Sequence, residues 1–468
     1  MKKTLFTLST AILILFSNSS VAQTYELVNH YSAANISALA ASFGIPGNVY
    51  QAEYGVDAYS VTYTMPYMGE TIEVSGAMFV PTDVPESCEL PVHTYMHGTI
   101  FVRDEAPSNM PFEAILGYLM SSPGYITLMP DYVGLGVSEL MHPYVHSESE
   151  AEAGIYMLEA VALFGEDIGF AYNGEQFISG YSQGGHAAMA MAREIQENWS
   201  ETYEVTACAP QAGPYNMSEI QGPLSVDVDA YPSPAYFAYN VVGWNSFYGD
   251  IYDDLSEIFQ EPYASMLPDM LDGETSAGEI NAVLPTLTVD LLQPGIVDEI
   301  LSDPNHPYML AAADNNCHDW VPNCHMNMYY CNGDDVVYPE NTLSAYEYMV
   351  ANGAENVGTF DGGDLGHGDC AGPSIFGGLL WMDQFHQDCV PESVSDFANG
   401  ITSWGLAPNP AQNGMTTLIG VPLNTQWIVR DMTGRIVTTG NTNTVELGQS
   451  KGIYFIEVEG LGVQKILN

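Results

Sequence analysis

The stretch QFISGYSQGGHAAMAMA, residues 176–192, decides how this chain is read. It opens on strand-forming residues, turns through Gly180-Tyr181-Ser182-Gln183-Gly184, and continues as an alanine- and methionine-rich segment with high helix propensity. That is the strand-turn-helix setting of a G-x-S-x-G elbow. There a serine sits in a strained turn, and flanking glycines let neighbouring backbone approach where a larger side chain would clash. The five-letter pattern alone is common; its setting makes Ser182 a candidate nucleophile.

On either side the chain alternates between strand and helix. The runs at 91–96 (PVHTYM), 124–130 (GYITLMP) and 175–180 (EQFISG) are short, mostly apolar and followed by turn residues, as buried parallel strands are. Helical patterns are expected at 148–164 and 184–198. Upstream, residues 60–65 and 72–80 alternate apolar and polar positions and predict half-buried antiparallel strands, preceded by a helical N-terminal stretch. The alternation lapses between about 215 and 316, a segment rich in Tyr, Phe, Met, Leu, Pro and acids that reads as an inserted helical cap. It resumes with MNMYYCN, a helix near 340–352, ENVGTF and a last helix at about 373–386. The fold class is therefore α/β, a mostly parallel sheet with right-handed crossovers and an inserted cap. Residues 23–400 form the expected catalytic domain. Past a linker near 400–408, Gly, Asn and Thr become frequent, and runs such as TQWIVRDMTGRIVTTG predict hairpins of a small all-β sandwich over 401–468.

Composition bounds the rest. Lys2 and Lys3, the apolar run LFTLSTAILILF and the small-residue site Ser20-Val21-Ala22 read as a secretory signal peptide over residues 1–22, so the mature protein is expected outside the cell or on its surface. The formal charge is −50. Only Arg103 and Arg193 are basic between residues 23 and 403, so nearly all of that charge lies on the central region. Nucleic acid and anionic membrane surfaces are disfavoured as partners. The seven cysteines, Cys88, Cys208, Cys317, Cys324, Cys331, Cys370 and Cys389, suit an exported protein with some disulfides. Their connectivity does not follow from the sequence. The run CHDWVPNCHMNMYYC matches no zinc-binding spacing, so no metal is expected.

A serine that attacks a carbonyl needs a base, an acid to orient the base, and donors for the oxyanion. In α/β-hydrolases these follow in the order Ser, Asp or Glu, His. After MNMYYCN comes Gly333-Asp334-Asp335-Val336-Val337, a carboxylate turn at a strand end; after ENVGTF comes a glycine-rich turn ending in His367. All three groups thus follow strands and can meet above one sheet edge. Asp334 is preferred to Asp335 because the apolar pair Val336-Val337 then follows it at the expected spacing, although either carboxylate remains open. The main-chain N–H of Gln183, next to the nucleophile, and that of Thr99 in His97-Gly98-Thr99 are the expected oxyanion donors. This chemistry needs no metal or organic cofactor.

Taken together, YMHGT (95–99), PDYVGLG (130–136), HPYVHSESEA (142–151), GYSQGGHAA (180–188), CAPQAGPYN (208–216), the Asp334 turn and GHGDC (366–370) resemble secretory lipases of the fungal lipase A type and their bacterial relatives. The resemblance spans about residues 45–390. It implies an α/β-hydrolase fold, a helical cap, and hydrolysis of small-molecule or lipid esters with Ser182, Asp334 and His367 as the triad. The tail segments PNPAQNGM, RDMTGRIV and KGIYFIEVEG resemble the C-terminal sorting domain of type IX secretion, which implies that export machinery as a partner. Two other readings compete. A serine peptidase of the prolyl-oligopeptidase type would need a propeller for which residues 23–181 leave no room; a surface binding protein on a hydrolase fold would not need the Ser, Asp and His elements.

Overall fold

The computed structural model describes residues 23–387 and 405–468, apart from residues 48, 86, 227–230, 232, 250, 413, 420, 422–423, 432–434, 449–450 and 459–461. The signal-peptide reading (1–22) and residues 400–404 of the expected linker lie outside the described residues. Gly405 already pairs with Ile419 in the tail, so the end of that expected linker is strand.

Nine strands make one sheet: β1 Thr24–Tyr31, β2 Gly55–Tyr67, β3 Glu70–Thr82, β4 Glu89–Met96, β5 Ile126–Pro130, β6 Ala171–Tyr181, β7 Val205–Gln211, β8 His325–Tyr330 and β9 Val357–Asp361. Their spatial order is β1-β2-β3-β5-β4-β6-β7-β8-β9. The first three are antiparallel to their neighbours, and β5, β4 and β6 to β9 run parallel. The apolar runs of the parallel strands follow from burial on both faces. In β6, Phe177 packs into one side of the molecule and its neighbour Ile178 into the other, both fully buried. One face is covered by the helices Ser147–Ala162, Gln183–Glu194 and Glu340–Ala351, the other by Ala33–Ser42, Ile115–Ser121 and His367–Met382. This is the α/β-hydrolase layering expected from the sequence.

Three local expectations change. The N-terminal stretch is a strand before it is a helix: β1 is an edge strand whose residues are mostly exposed, so no apolar alternation marks it. Strand β3 is buried on both faces over Val74–Pro81 rather than half-buried, because the helix Ser147–Ala162 packs on one face and Ile115–Ser121 on the other. The last helix begins at His367 and runs through Pro373, six residues before its expected start.

Between β7 and β8 the chain forms a set of helices, the longest being Pro234–Tyr248, with a separate apolar core that includes Phe237, Trp244, Phe259, Leu267 and Tyr308. This body docks beside the sheet edge: Asn240 Nδ2 donates to Tyr144 O (3.2 Å) and Trp244 Nε1 to Val145 O (3.3 Å). The tail forms two antiparallel sheets. One holds β10 Gly405–Gln412, β11 Met415–Ile419 and β14 Thr444–Glu446; the other holds β12 Trp427–Asp431, β13 Ile436–Gly440, β15 Ile453–Val458 and β16 Gly462–Leu467. Leu418 and Val445 from the first pack with Trp427, Val429, Ile456 and Val458 from the second, as in a sandwich. Among the described residues no helix is long and apolar enough to cross a membrane.

Candidate functional site

The order of the parallel strands reverses at β4, which lies between β5 and β6, and ligands of open α/β sheets bind at the carboxyl ends beside such a reversal. Ser182 follows β6 there, in the turn before the helix Gln183–Glu194, with φ +62° and ψ −123°. An L-residue adopts this backbone rarely, so the turn is held by its surroundings. Ser182 N–H donates to Gln211 O (2.9 Å), and Ser182 O accepts from Gly185 N (2.8 Å). The two glycines of the motif are required by space. A Cβ at Gly184 would lie 2.0 Å from Met96 O, and one at Gly180 would lie 2.2 Å from Gly184 O.

His367 and Asp334 reach the same point from β9 and β8. His367 Nδ1 donates to Asp334 Oδ2 (2.7 Å), which leaves the Nε2 lone pair facing Ser182 Oγ–H at 2.9 Å. The Asp334 side chain is 1% exposed, and its other oxygen accepts from Val336 N (3.0 Å) and Val337 N (2.9 Å). The Val-Val pair therefore holds the carboxylate by its main chain. Asp335 contacts His367 by the main chain of the latter; its Oδ1 accepts from His367 N at 3.3 Å, at the start of the last helix. It is exposed to solvent and also holds the main chain of the residue that carries the imidazole. Two further features fix His367. Tyr181 Oη donates to His367 O at 2.5 Å with the two rings 5.0 Å apart, and a disulfide joins Cys331 at the end of β8 to Cys370 in the helix. That bridge links the loop bearing Asp334 to the segment bearing His367. Cys88 is also disulfide-bonded; Cys208, Cys317 and Cys324 are buried thiols.

The loop after β4 brings up Gly98 and Thr99. His97 Nδ1 donates to Gly98 O (2.7 Å), Glu113 Oε1 accepts from Gly98 N (3.4 Å), and Thr99 Oγ1 is 2.8 Å from Tyr144 Oη. Gln183 heads its helix, where the first N–H groups lack intrahelical acceptors. Its side chain makes contacts that sequence reasoning missed. Gln183 Nε2 donates both to Glu150 Oε1 (2.8 Å) and to His142 Nε2 (2.8 Å). The His142 ring donates through Nδ1 to Val133 O (2.7 Å), and burial pushes its pKa down to about 3, so it is a neutral acceptor. The other Glu150 oxygen meets His186 Nδ1 (2.8 Å), whose Nε2 faces Asn315 O (2.9 Å). Both nitrogens of His186 thus face acceptors. Burial lowers its pKa, but the neighbouring Cys317 and the Glu150 carboxylate more than reverse this and hold it well above the usual value. A buried ion pair therefore lies beneath the turn that carries Ser182. Its residues were present in HPYVHSESEA and GYSQGGHAA, but no local signal joins positions 150 and 186.

Two cavities open at Ser182. One is a cleft of about 800 Å³, lined among others by Gly98, Thr99, Glu113, Leu116, His367 and Phe376. The other is about 40 Å³, lies under the inserted helices, and is lined among others by Gln183, Val145, Met217, Phe237 and Val337. Tyr236 and Ser182 border both. The arrangement has the parts for acyl transfer: a hydroxyl bonded to an imidazole, a carboxylate behind it, and main-chain N–H groups of two adjoining segments.

No protein-family model matches the chain, and no curated protein matches it by sequence. Solved structures do. A Legionella pneumophila protein assigned as a hydrolase superimposes with a TM-score of 0.71 at 24% identity, covering 79% of this chain and 99% of that one. The rice cell wall degrading esterase LipA of Xanthomonas oryzae gives a TM-score of 0.68 at 26% identity, covering 77% of this chain and 97% of that one. Candida antarctica lipase A in its closed state gives 0.54 at 12% identity over 78% of this chain and 84% of that one. The structural neighbours of this chain are hydrolases, an esterase and a lipase.

Proposed function

We propose that the protein is a secreted serine carboxylesterase or lipase that hydrolyses neutral carboxylic esters. The observation that carries the reading is the unbroken relay from Ser182 Oγ to His367 Nε2 (2.9 Å) and from His367 Nδ1 to Asp334 (2.7 Å). His367 takes the hydroxyl proton as Ser182 Oγ bonds to the ester carbonyl carbon, and the N–H groups of Thr99 and Gln183 stabilise the oxyanion. The bond to the alcohol oxygen then breaks, and His367 returns the proton to that oxygen. The acyl group stays on Ser182 until water, deprotonated by His367, attacks it. The carboxylic acid leaves and Ser182 regains its proton. Asp334 accepts from Nδ1 and keeps the imidazole in the tautomer with that nitrogen protonated.

The Xanthomonas oryzae neighbour, 26% identical to this chain, is a rice cell wall degrading esterase, which supports the same reaction class. Export through the segment 1–22, and sorting by the tail sandwich through a type IX system, belong to the same reading and rest on the sequence patterns. The test is hydrolysis of nitrophenyl esters of graded acyl length by the protein and by Ser182→Ala. Turnover is expected in the first and loss of at least ~10³-fold in the second. Equal rates in the two, or none in either, would refute it.

A further inference from the structure

The two cavities at Ser182 are not equivalent, and their difference points to a substrate class within the esterase reading on which this inference rests. In the tetrahedral intermediate the carbon bears the Ser182 oxygen, the oxyanion, the acyl chain and the alcohol oxygen. The alcohol oxygen departs with the proton from His367 Nε2, so it must lie within hydrogen-bond reach of that atom. His367 lines the 800 Å³ cleft and is not among the residues lining the 40 Å³ pocket, whereas Ser182 borders both. The alcohol therefore occupies the large cleft and the acyl group the small one, with Tyr236 bordering both.

We infer that the protein selects esters of short carboxylic acids with bulky, uncharged, apolar alcohols. The small pocket holds about three water-sized positions, the room of a two- to four-carbon acyl chain. The large cleft has apolar walls formed by residues such as Leu116, Ile375 and Phe376. At its mouth Phe43 and Phe112 are 45% and 75% exposed, with ring centroids 5.6 Å apart. Exposed aromatic rings converging on the rim of a catalytic cleft match an apolar group that enters from water. The carboxyl of Glu113, held by Tyr95 Oη (3.2 Å) and Gly98 N (3.4 Å), lies in the same cleft and opposes an anionic alcohol.

The test is a grid of unactivated esters, with ethyl, benzyl and 2-naphthylmethyl alcohols each joined to acetyl, butanoyl and octanoyl groups, followed by titration of released acid. For acetates, kcat/KM is expected to rise at least tenfold from ethyl to 2-naphthylmethyl. For the 2-naphthylmethyl esters it is expected to fall at least tenfold from acetyl to octanoyl. Leu116→Trp, which fills the large cleft, should lower the ratio of 2-naphthylmethyl acetate to ethyl acetate hydrolysis about tenfold. Met217→Ala should instead raise octanoyl relative to acetyl esters. A flat or reversed profile along either axis, or a Leu116→Trp enzyme changed in acyl rather than alcohol preference, overturns this assignment while leaving the esterase reading intact. Absence of any Ser182-dependent turnover across the grid overturns both.

Discussion

Replacing Asp334 by Asn tests the relay at its most buried member. The carboxylate accepts three hydrogen bonds, from His367 Nδ1 at 2.7 Å and from the amides of Val336 and Val337 at 3.0 and 2.9 Å. Asn keeps the size and retains an oxygen for the two amides, so the loop should hold. Its amide nitrogen then replaces Oδ2 and presents a donor to a donor. The imidazole responds by moving its proton to Nε2, and that nitrogen can no longer accept from Ser182. Losing one hydrogen bond to a charged group costs about 1.5–3 kcal/mol, a lower bound of roughly 10- to 150-fold in rate. Adding the wrong tautomer brings the expected fall in kcat to about 10⁴-fold, close to 5 kcal/mol. Asp335→Asn should cost no more than about threefold, since its oxygen can still accept from His367 N. Steady-state hydrolysis of a nitrophenyl acetate at several pH values, with thermal unfolding as a control for folding, distinguishes them. A larger loss at 335 than at 334 in folded proteins would refute the assignment.

Other perturbations probe the frame around this relay. Glu150→Gln removes the counter-charge of buried His186 and should destabilise the fold by about 3–5 kcal/mol, measured by denaturant unfolding. Because the folded pKa of His186 is raised, its pairing stabilises fully below the ordinary histidine value and is lost as pH climbs through the raised one; the gap between the two proteins should narrow in that direction. Half-buried Glu152, crowded by Glu148 and Glu194, has its pKa raised by burial first and by those charges second to about 7. Its ionisation destabilises the fold as pH rises from the usual carboxylate range through about 7, so Glu152→Gln should add about 1 kcal/mol at pH 8 after solvent screening, and nothing at pH 4. Unfolding curves at the two pH values decide it. Gly184→Ala drives a methyl into Met96 O and should abolish Ser182 labelling by a fluorophosphonate, with a stability loss above about 3 kcal/mol; labelling at the wild-type rate would contradict the required close approach.

The elbow was legible because its geometry is dictated by neighbours in sequence: strand, glycine, serine, glycine, helix. The carboxylate and imidazole were legible through order, each following a strand of one sheet. Choosing Asp334 over Asp335 rested on two valines, and the contact is made by the amides of those valines. What escaped depends on pairings across long separations. Nothing near Glu150 indicates that it meets His186, and the union of Cys331 with Cys370 follows only when β8 and the last helix are folded together. The start of that helix was obscured by Pro373, a residue type that usually marks a first turn and here lies in the helix interior. Edge strand β1 escaped because an exposed strand carries no apolar rhythm.

Strapping the acid loop to the base segment makes their alignment a matter of thiol oxidation as well as of packing. Closing a loop between residues 39 positions apart restricts the unfolded chain by an amount worth about 4 kcal/mol. A copy folded among reductants lacks that restraint at the spot where sub-ångström placement of a proton acceptor matters most.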